Sequence, residues 1–413
     1  MALNKLKNFN DPVYGFVSIP CDLIYDIIAH PNFQRLRRIK QLGLSNYVYP
    51  GAQHTRFQHV IGAMSLTQDA LATLRQKGIE ISTQEEEAVL AAIILHDIGH
   101  GPFSHTLENV LIKNLQHEEI SLHLMHNMNA DLGGRLDLCI QIFTDQYARK
   151  FLHQLVSSQL DMDRLDYLRR DSFYSGVQEG VVGQDRIIKM LNVANDELVV
   201  DEKGIYSIEK FLIARRLMYW QVYLHKTVVA AESVLVKTLE RAFELIARGE
   251  KLFAAPALAY FLDNRLDGKQ FFADPKAIEN YTLIDDDDVM SAIKVWCFHS
   301  DVVLSSLATI LKDRLLPKVE LKNEPFGLNQ IAELKQRVAL EKGISLAEAD
   351  YFVFTDSVKN RAYSLDNFNI KILFKDGSLK DITKASDQYN IEALTKSVTK
   401  YFLCYPKSFT FRP

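Results

Sequence analysis

Cysteine is scarce in this 413-residue chain: Cys21, Cys139, Cys297 and Cys404 are its four, and no two form a CxxC pair. The scatter argues against a disulfide framework and against a zinc–cysteine site, and it suits a reducing compartment. Charge of one sign is also lacking. With a net charge of −4 there is no general electrostatic case for nucleic acid or a membrane surface, so an anionic ligand needs a local basic pocket. No apolar run approaches the ~20 residues of a membrane span, and the polar start MALNKLKNFNDP has no signal-peptide core. A cytoplasmic protein without membrane contact is expected.

What is present is largely helical pattern. In IYDIIAHPNFQRLRRIKQLG the apolar positions recur near helical period, with Pro31 opening a second helix. HVIGAMSLTQDALATLRQKG is a helix closed by Gly78. TQEEEAVLAAIILHD starts with Thr83 as N-cap and acids in its first turn. ARKFLHQLVSSQLDMDRLDYLRRD is an amphipathic helix, and the stretch from Ile208 to Ile246 has the length of two packed helices. After Gly249 charged helices such as NQIAELKQRVALEKG alternate with short segments, and NIKILFKDGSLKDIT reads as a β-hairpin around Lys375-Asp376-Gly377. The expected fold is mostly α, with a catalytic region over 1–249 and a smaller C-terminal α+β lobe over 250–413 serving assembly or regulation. The acid run Asp285 to Asp288 is expected to be a solvated loop.

Eight of the twelve histidines fall between His54 and His126. Three of them, with Asp97, lie in HDIGHGPFSH, directly after the apolar run AVLAAIIL. A buried helix that ends in His-Asp-x-Gly-His brings polar side chains to one point at the edge of a core, a costly arrangement unless a metal collects them. His59, His96, Asp97 and Asp163 are the candidate ligands, with Asp161 and Asp166 competing for the place of Asp163. Two imidazoles and two carboxylates suit Mn²⁺, Fe²⁺ or Mg²⁺, and such a metal acidifies water toward neutral pH. His100, His105 and His117 form a second set, able to protonate a leaving group or contact phosphate. Glu108, three residues after His105, can orient an imidazole. A third set is basic: Arg56, Arg164, Arg215 and Lys226. On one helix, Asp163, Tyr167 and Asp171 share a face at i, i+4 spacing.

HTRFQH, HDIGHGPFSH, the HE of QHEEIS and LDMDRLDYLRRD occur in that order and resemble the HD superfamily of metal-dependent phosphohydrolases. NDPVYGFV, FQRLRRIKQLG, YVYPGAQHTRFQH and YLHK sharpen this to the deoxynucleoside triphosphate (dNTP) triphosphohydrolase branch. Within it, the chain resembles the catalytic domain of a human member that also carries a SAM domain, which is not matched here. The motifs cover roughly Asn10 to Lys226.

The resemblance implies metal ligands at His59, His96, Asp97 and Asp163. It implies catalytic histidines at His100, His105 and His117, with Glu108 where the family usually has Asp. Phosphate contacts fall on Arg56, Arg164 (often Lys in the family), Arg215 and Lys226. The deoxyribose 3′-hydroxyl falls to Gln41, Tyr167 and Asp171, while Leu42 and Tyr223 crowd the 2′ position and reject ribonucleotides. Leu224 stands where the human relative has Gln, and Ala29 where it has the Asp that helps a regulatory site select guanine. Asn10, Gln34 and Arg37 are retained, so a regulatory deoxynucleotide that is not specifically guanine is expected there. A second metal with the triphosphate and a homodimer or homotetramer are further implications.

The expected reaction releases a deoxynucleoside and inorganic triphosphate. One rival is an HD phosphodiesterase acting on a cyclic dinucleotide, an alarmone or a nucleic-acid end. Another, of a different class, is a non-catalytic nucleotide sensor. Nucleic-acid binding is not expected, because backbone binding needs several Lys or Arg on one face.

Overall fold

The computed structural model describes residues 7–365, 369–388 and 390–409. The described residues are mostly α-helical and form three small sheets. At its centre lies the helix Thr83–Leu95, in which every residue from Ala88 to Leu95 is buried. Its apolar run has no polar face because other helices surround it. The helix Arg56–Gln76 packs on it, and Met162–Ser175 packs in turn on Arg56–Gln76. Gly62 makes that second crossing possible, since a Cβ there would collide with the Asp166 carboxylate and the Arg170 guanidinium.

Several helix starts follow local capping chemistry. Pro31 takes the first turn of the short helix Pro31–Gln34, with the His30 imidazole accepting from the Asn32 N–H. Gly78 follows the Arg56–Gln76 helix at φ +87°. The N-cap of the central helix is Ser82 rather than Thr83. Ser82 Oγ accepts from the Glu85 N–H at 3.2 Å while Glu85 reaches back to the Ser82 N–H at 2.9 Å. This reciprocal box outranks a lone Thr. The segment expected as one amphipathic helix is two, Lys150–Val156 and Met162–Ser175. Asp161 separates them by capping the second, accepting from the Arg164 N–H at 2.7 Å.

The stretch expected as two packed helices is Ile205–Met218 and Lys226–Ala247, joined by a π-helical turn over Tyr219–Tyr223. Strands β1 (Asn8–Asp11) and β2 (Gly15–Ser18) form an N-terminal hairpin. Strands β3 (Leu191–Ala194) and β4 (Glu197–Asp201) form another. In the C-terminal third, β5 (Lys318–Lys322) and β6 (Phe354–Asn360) flank β9 (Val398–Tyr405) in an antiparallel sheet. The hairpin around Gly377 is present as β7 (Lys371–Leu373) and β8 (Leu379–Asp381), with Gly377 at φ +82°. Its β7 adds in parallel to β4, Ile372 opposite Val200, so segments on both sides of residue 249 share one sheet.

The acid run is not a solvated loop. Asp285 caps the helix Asp286–Trp296, and Asp285 and Asp286 are only 6% and 4% exposed. Asp286 accepts the Phe103 N–H at 2.7 Å and the Lys40 N–H at 2.9 Å. Backbone donors and a helix N-terminus supply what water would otherwise give these carboxylates.

Candidate active site

The C-terminal end of the central helix delivers His96 and Asp97 to a cavity of about 760 Å³. His59 comes from the first turn of Arg56–Gln76 and Asp163 from the first turn of Met162–Ser175. Asp163 Oδ1 lies 3.0 Å from His59 Nε2 and 3.5 Å from His96 Nε2, and Asp97 Oδ1 lies 3.3 Å from His96 Nε2. Both Nε2 atoms are buried and make no hydrogen bond, a cost native cores avoid unless another partner collects them. Their Nδ1 atoms are held from behind, His59 by Asp166 at 2.7 Å and His96 by the Ile93 carbonyl at 2.6 Å. That arrangement fixes the tautomer that presents Nε2 to a metal. Asp161 is committed to its cap and to Arg164, and Asp166 to His59 and Arg170. Asp163 is the one of the three whose carboxylate lies between the two imidazoles, so the residues present fit a divalent metal.

Asp97 also pairs with Arg56, whose Nε donates to Ser104 Oγ at 2.9 Å. Burial pushes the Asp97 carboxyl up, but Arg56, His96 and His100 outweigh it and hold it well below the usual carboxylate range. Burial, reinforced by Arg56, keeps the His100 imidazole well below its ordinary value and therefore neutral. The His100 and His117 rings stack at 3.7 Å between centroids, with His105 edge-on to both. Glu108 ties the set together, 3.1 Å from His105 Nδ1 and 2.7 Å from His117 Nδ1. Its burial is overridden by those contacts, which hold its carboxyl far below the usual range. The extra methylene of Glu therefore still reaches both rings.

The loop carrying these histidines is clamped. Arg35, fully buried, donates to the carbonyls of Ile98 (3.2 Å), His100 (2.6 Å) and Ile284 (3.3 Å). Gly99 lies so close to the His117–Asp131 helix that a Cβ would collide with the His117 carbonyl and the Ser121 backbone.

Gln41, Leu42, Tyr167, Asp171 and Tyr223 line the same cavity as His96, Asp97 and Asp163, while His59 is buried behind the wall. Asp171 receives His54 Nε2 at 2.8 Å on one oxygen and the Tyr223 hydroxyl at 2.8 Å on the other. Gln41 Oε1 is buried with no partner, so a ligand donor would satisfy it.

Residues 56–157 match the HD domain, and residues 182–258 match the HD associated region. An uncharacterised protein of Bacillus subtilis, YwfO, is 32% identical over 98% of this chain and 93% of its own length. The chain belongs to the HD-domain phosphohydrolase family. A crystal structure described as a phosphohydrolase of Bacteroides thetaiotaomicron is 56% identical with a TM-score of 0.94, covering 97% of this chain and 100% of that one. A Dictyostelium discoideum protein named deoxynucleoside triphosphate triphosphohydrolase SAMHD1 homolog is 30% identical over 60% of this chain. This chain spans about half of that relative's length, 51%.

Not every expected residue of the HD core reaches the cavity. Arg56 and Arg164 line it; Arg215 and Lys226 do not. Arg215 is buried with Nη1 3.3 Å from Gln159, and Lys226 is exposed at the first position of its helix. Asn10, Gln34 and Arg37 also lie outside it. Gln34 donates to the Ile28 carbonyl at 2.6 Å, Arg37 donates to Gln34 at 2.8 Å and covers the Phe57 ring, and Asn10 is exposed on β1. Sequence reasoning gave no role to His54, Ser104, Arg35 or Asp286. Each acts through a partner distant in the chain: His54 lies in the histidine cluster, Ser104 in HDIGHGPFSH and Arg35 in FQRLRRIKQLG, but no local pattern names their partners.

Proposed function

We propose that this protein hydrolyses dNTPs to a deoxynucleoside and inorganic triphosphate. One observation carries the reading: a single cavity joins His96, Asp97 and Asp163, with His59 directly behind them, and two arginines to a polar pair, Asp171 and Gln41, whose Oε1 is unpartnered. The name of the Dictyostelium relative supports it.

Mn²⁺, Fe²⁺ or Mg²⁺ held by the four ligands would acidify a water and polarise a phosphoryl oxygen. Arg56 and Arg164 neutralise charge that develops on the triphosphate. Gln41, Tyr167 and Asp171 hold the 3′-hydroxyl. Leu42 and Tyr223 leave a 2′-hydroxyl without a partner, which disfavours ribonucleotides. The water oxygen bonds to the α-phosphorus and the bond from that phosphorus to O5′ breaks; His105 gives its proton to O5′, and the proton the water releases on attack passes to solvent, from which His105 is reprotonated. Glu108 holds the Nδ1 side of His105 and of His117, leaving Nε2 to face the cavity. Arg215 and Lys226 would join the phosphate contacts only after side-chain movement or in an assembly. The same proposal includes a regulatory deoxynucleotide near Asn10, Gln34 and Arg37 in a homo-oligomer, with residues 250–413 serving assembly.

The test is incubation of the purified protein with Mn²⁺ or Mg²⁺ and each dNTP, singly and mixed, with GTP and ATP as controls and products separated by ion exchange. Triphosphate from dNTPs supports the reaction, and turnover confined to the mixture supports activation. No triphosphate in any condition, with metal shown to be bound, overturns the proposal and favours a phosphodiesterase.

A further inference from the structure

His54 precedes the helix Arg56–Gln76, is 1% exposed and lies outside the cavity lining. It nevertheless holds both halves of the polar pair assigned to the sugar. Its Nε2 lies 2.8 Å from Asp171 Oδ1, and its carbonyl accepts the Gln41 N–H at 3.0 Å. Asp171 and Gln41 come from distant parts of the chain, and His54 fixes one against the other.

The proton of the first bond belongs to His54. An ionised carboxylate only accepts, and the other Asp171 oxygen takes the Tyr223 hydroxyl at 2.8 Å. His54 Nδ1 is buried and makes no hydrogen bond among the described residues, so a proton there would be stranded. The imidazole is therefore the Nε2–H tautomer. Its ring stacks on Tyr174 at 4.5 Å between centroids, and Gln58 Nε2 donates to the Tyr174 hydroxyl at 3.0 Å. Asp171 is itself 1% exposed, and a buried carboxylate needs donors in place of water. His54 and Tyr223 supply one to each oxygen, which stops the group from rotating and leaves a lone pair free on each. Those lone pairs and the unpartnered Gln41 Oε1 leave the site short of a donor.

We propose that His54 is a positioning residue for the sugar site: by holding Asp171 and Gln41 in place as acceptors, it makes a free 3′-hydroxyl a requirement for tight binding. The inference rests on the dNTP reading of the cavity. A 3′-hydroxyl donates to these acceptors. A nucleotide without one leaves them buried and unpaired, and a 3′-phosphodiester sets an anion against Asp171. The site therefore takes free nucleotides in preference to nucleic-acid ends.

The test compares KM and kcat for dATP and 2′,3′-dideoxy-ATP in the wild-type protein, His54→Phe and His54→Gln, with thermal melts confirming folding. Wild type is expected to prefer dATP in kcat/KM by about tenfold or more. His54→Phe keeps a ring on Tyr174 and removes the donor. It should raise KM for dATP about tenfold, leave the dideoxy substrate little changed and abolish the preference. His54→Gln loses the ring but carries an N–H near the place of Nε2, so it should retain the preference. A packing role predicts the reverse order of the two variants. His54→Asn, whose shorter amide cannot reach Asp171, replaces the Phe variant if that does not fold. A wild-type preference kept by a folded variant without the donor, or no preference in wild type, would overturn the assignment alone. If wild-type protein hydrolyses no dNTP, the reading of the cavity falls and this inference with it.

Discussion

Asp286 accepts the backbone N–H of Phe103 at 2.7 Å across 183 residues of sequence. Phe103 and the next residue, Ser104, have φ of 55° and 53°, a left-handed conformation that costs a non-glycine residue about 1–2 kcal/mol. The turn is thus held from outside by the Asp286–Trp296 helix, and through Ser104 it holds Arg56. Asp286→Asn keeps the shape but supplies one acceptor oxygen for two N–H donors. It should reduce kcat about tenfold to a hundredfold by displacing His105 and Arg56, with metal content retained. Steady-state kinetics with metal analysis checks this, and unchanged kcat would remove the turn from the account.

His105→Ala should retain metal and lose about 10²–10⁴-fold in kcat, the range expected for a lost general acid. Its rescue by a substrate with a better leaving group at O5′ would add support. Normal turnover in the variant would assign proton transfer elsewhere.

Asp166→Asn tests the support behind the metal site. Asp166 holds His59 Nδ1 at 2.7 Å and pairs with the fully buried Arg170. Loss of such an orienting carboxylate is expected to weaken metal affinity about ten- to a hundredfold, read by calorimetric titration with Mn²⁺. Equal affinity in a folded variant would show that the Asp166 contact serves packing alone.

Arg241, 2% exposed, joins the long Lys226–Ala247 helix to Asp301 at 2.6 Å and Glu348 at 2.9 Å. Its removal in Arg241→Met should cost about 2–3 kcal/mol, less than the ~3–5 of a wholly buried pair because the acids are partly exposed. Burial pushes the Asp301 carboxyl up, but hydrogen bonds from Arg241 and the Leu304 N–H outweigh it and lower its pKa. A lowered folded-state pKa stabilises above the unfolded value near 4 and loses that contribution as pH falls through the folded value. Asp301→Asn should therefore flatten the acid limb of a melting profile below about pH 4. An unaltered limb would contradict the linkage.

The helical core and the cluster from His96 to His105 were legible because their signals are local: apolar periodicity, capping residues and ligand types at short spacing. The Gly377 hairpin was legible for the same reason. Its parallel pairing with β4 was not, since no local pattern encodes a partner about 170 residues away. Ser82 took the cap from Thr83 because Glu85 answers it. The acid run was misjudged because charge composition says nothing of Phe103 and Lys40, whose N–H groups bind Asp286. Asp163 could not be separated from Asp161 and Asp166 by spacing, as all three lie within six residues. Their separate partners became visible only once Arg164, His59 and Arg170 were placed.

The most direct test of the central claim is hydrolysis of a dNTP in ¹⁸O-labelled water, with products read by mass spectrometry. Attack at the α-phosphorus with loss of O5′ predicts unlabelled deoxynucleoside and triphosphate carrying one ¹⁸O. Label in the deoxynucleoside hydroxyl, or a deoxynucleoside monophosphate with pyrophosphate, would contradict the account.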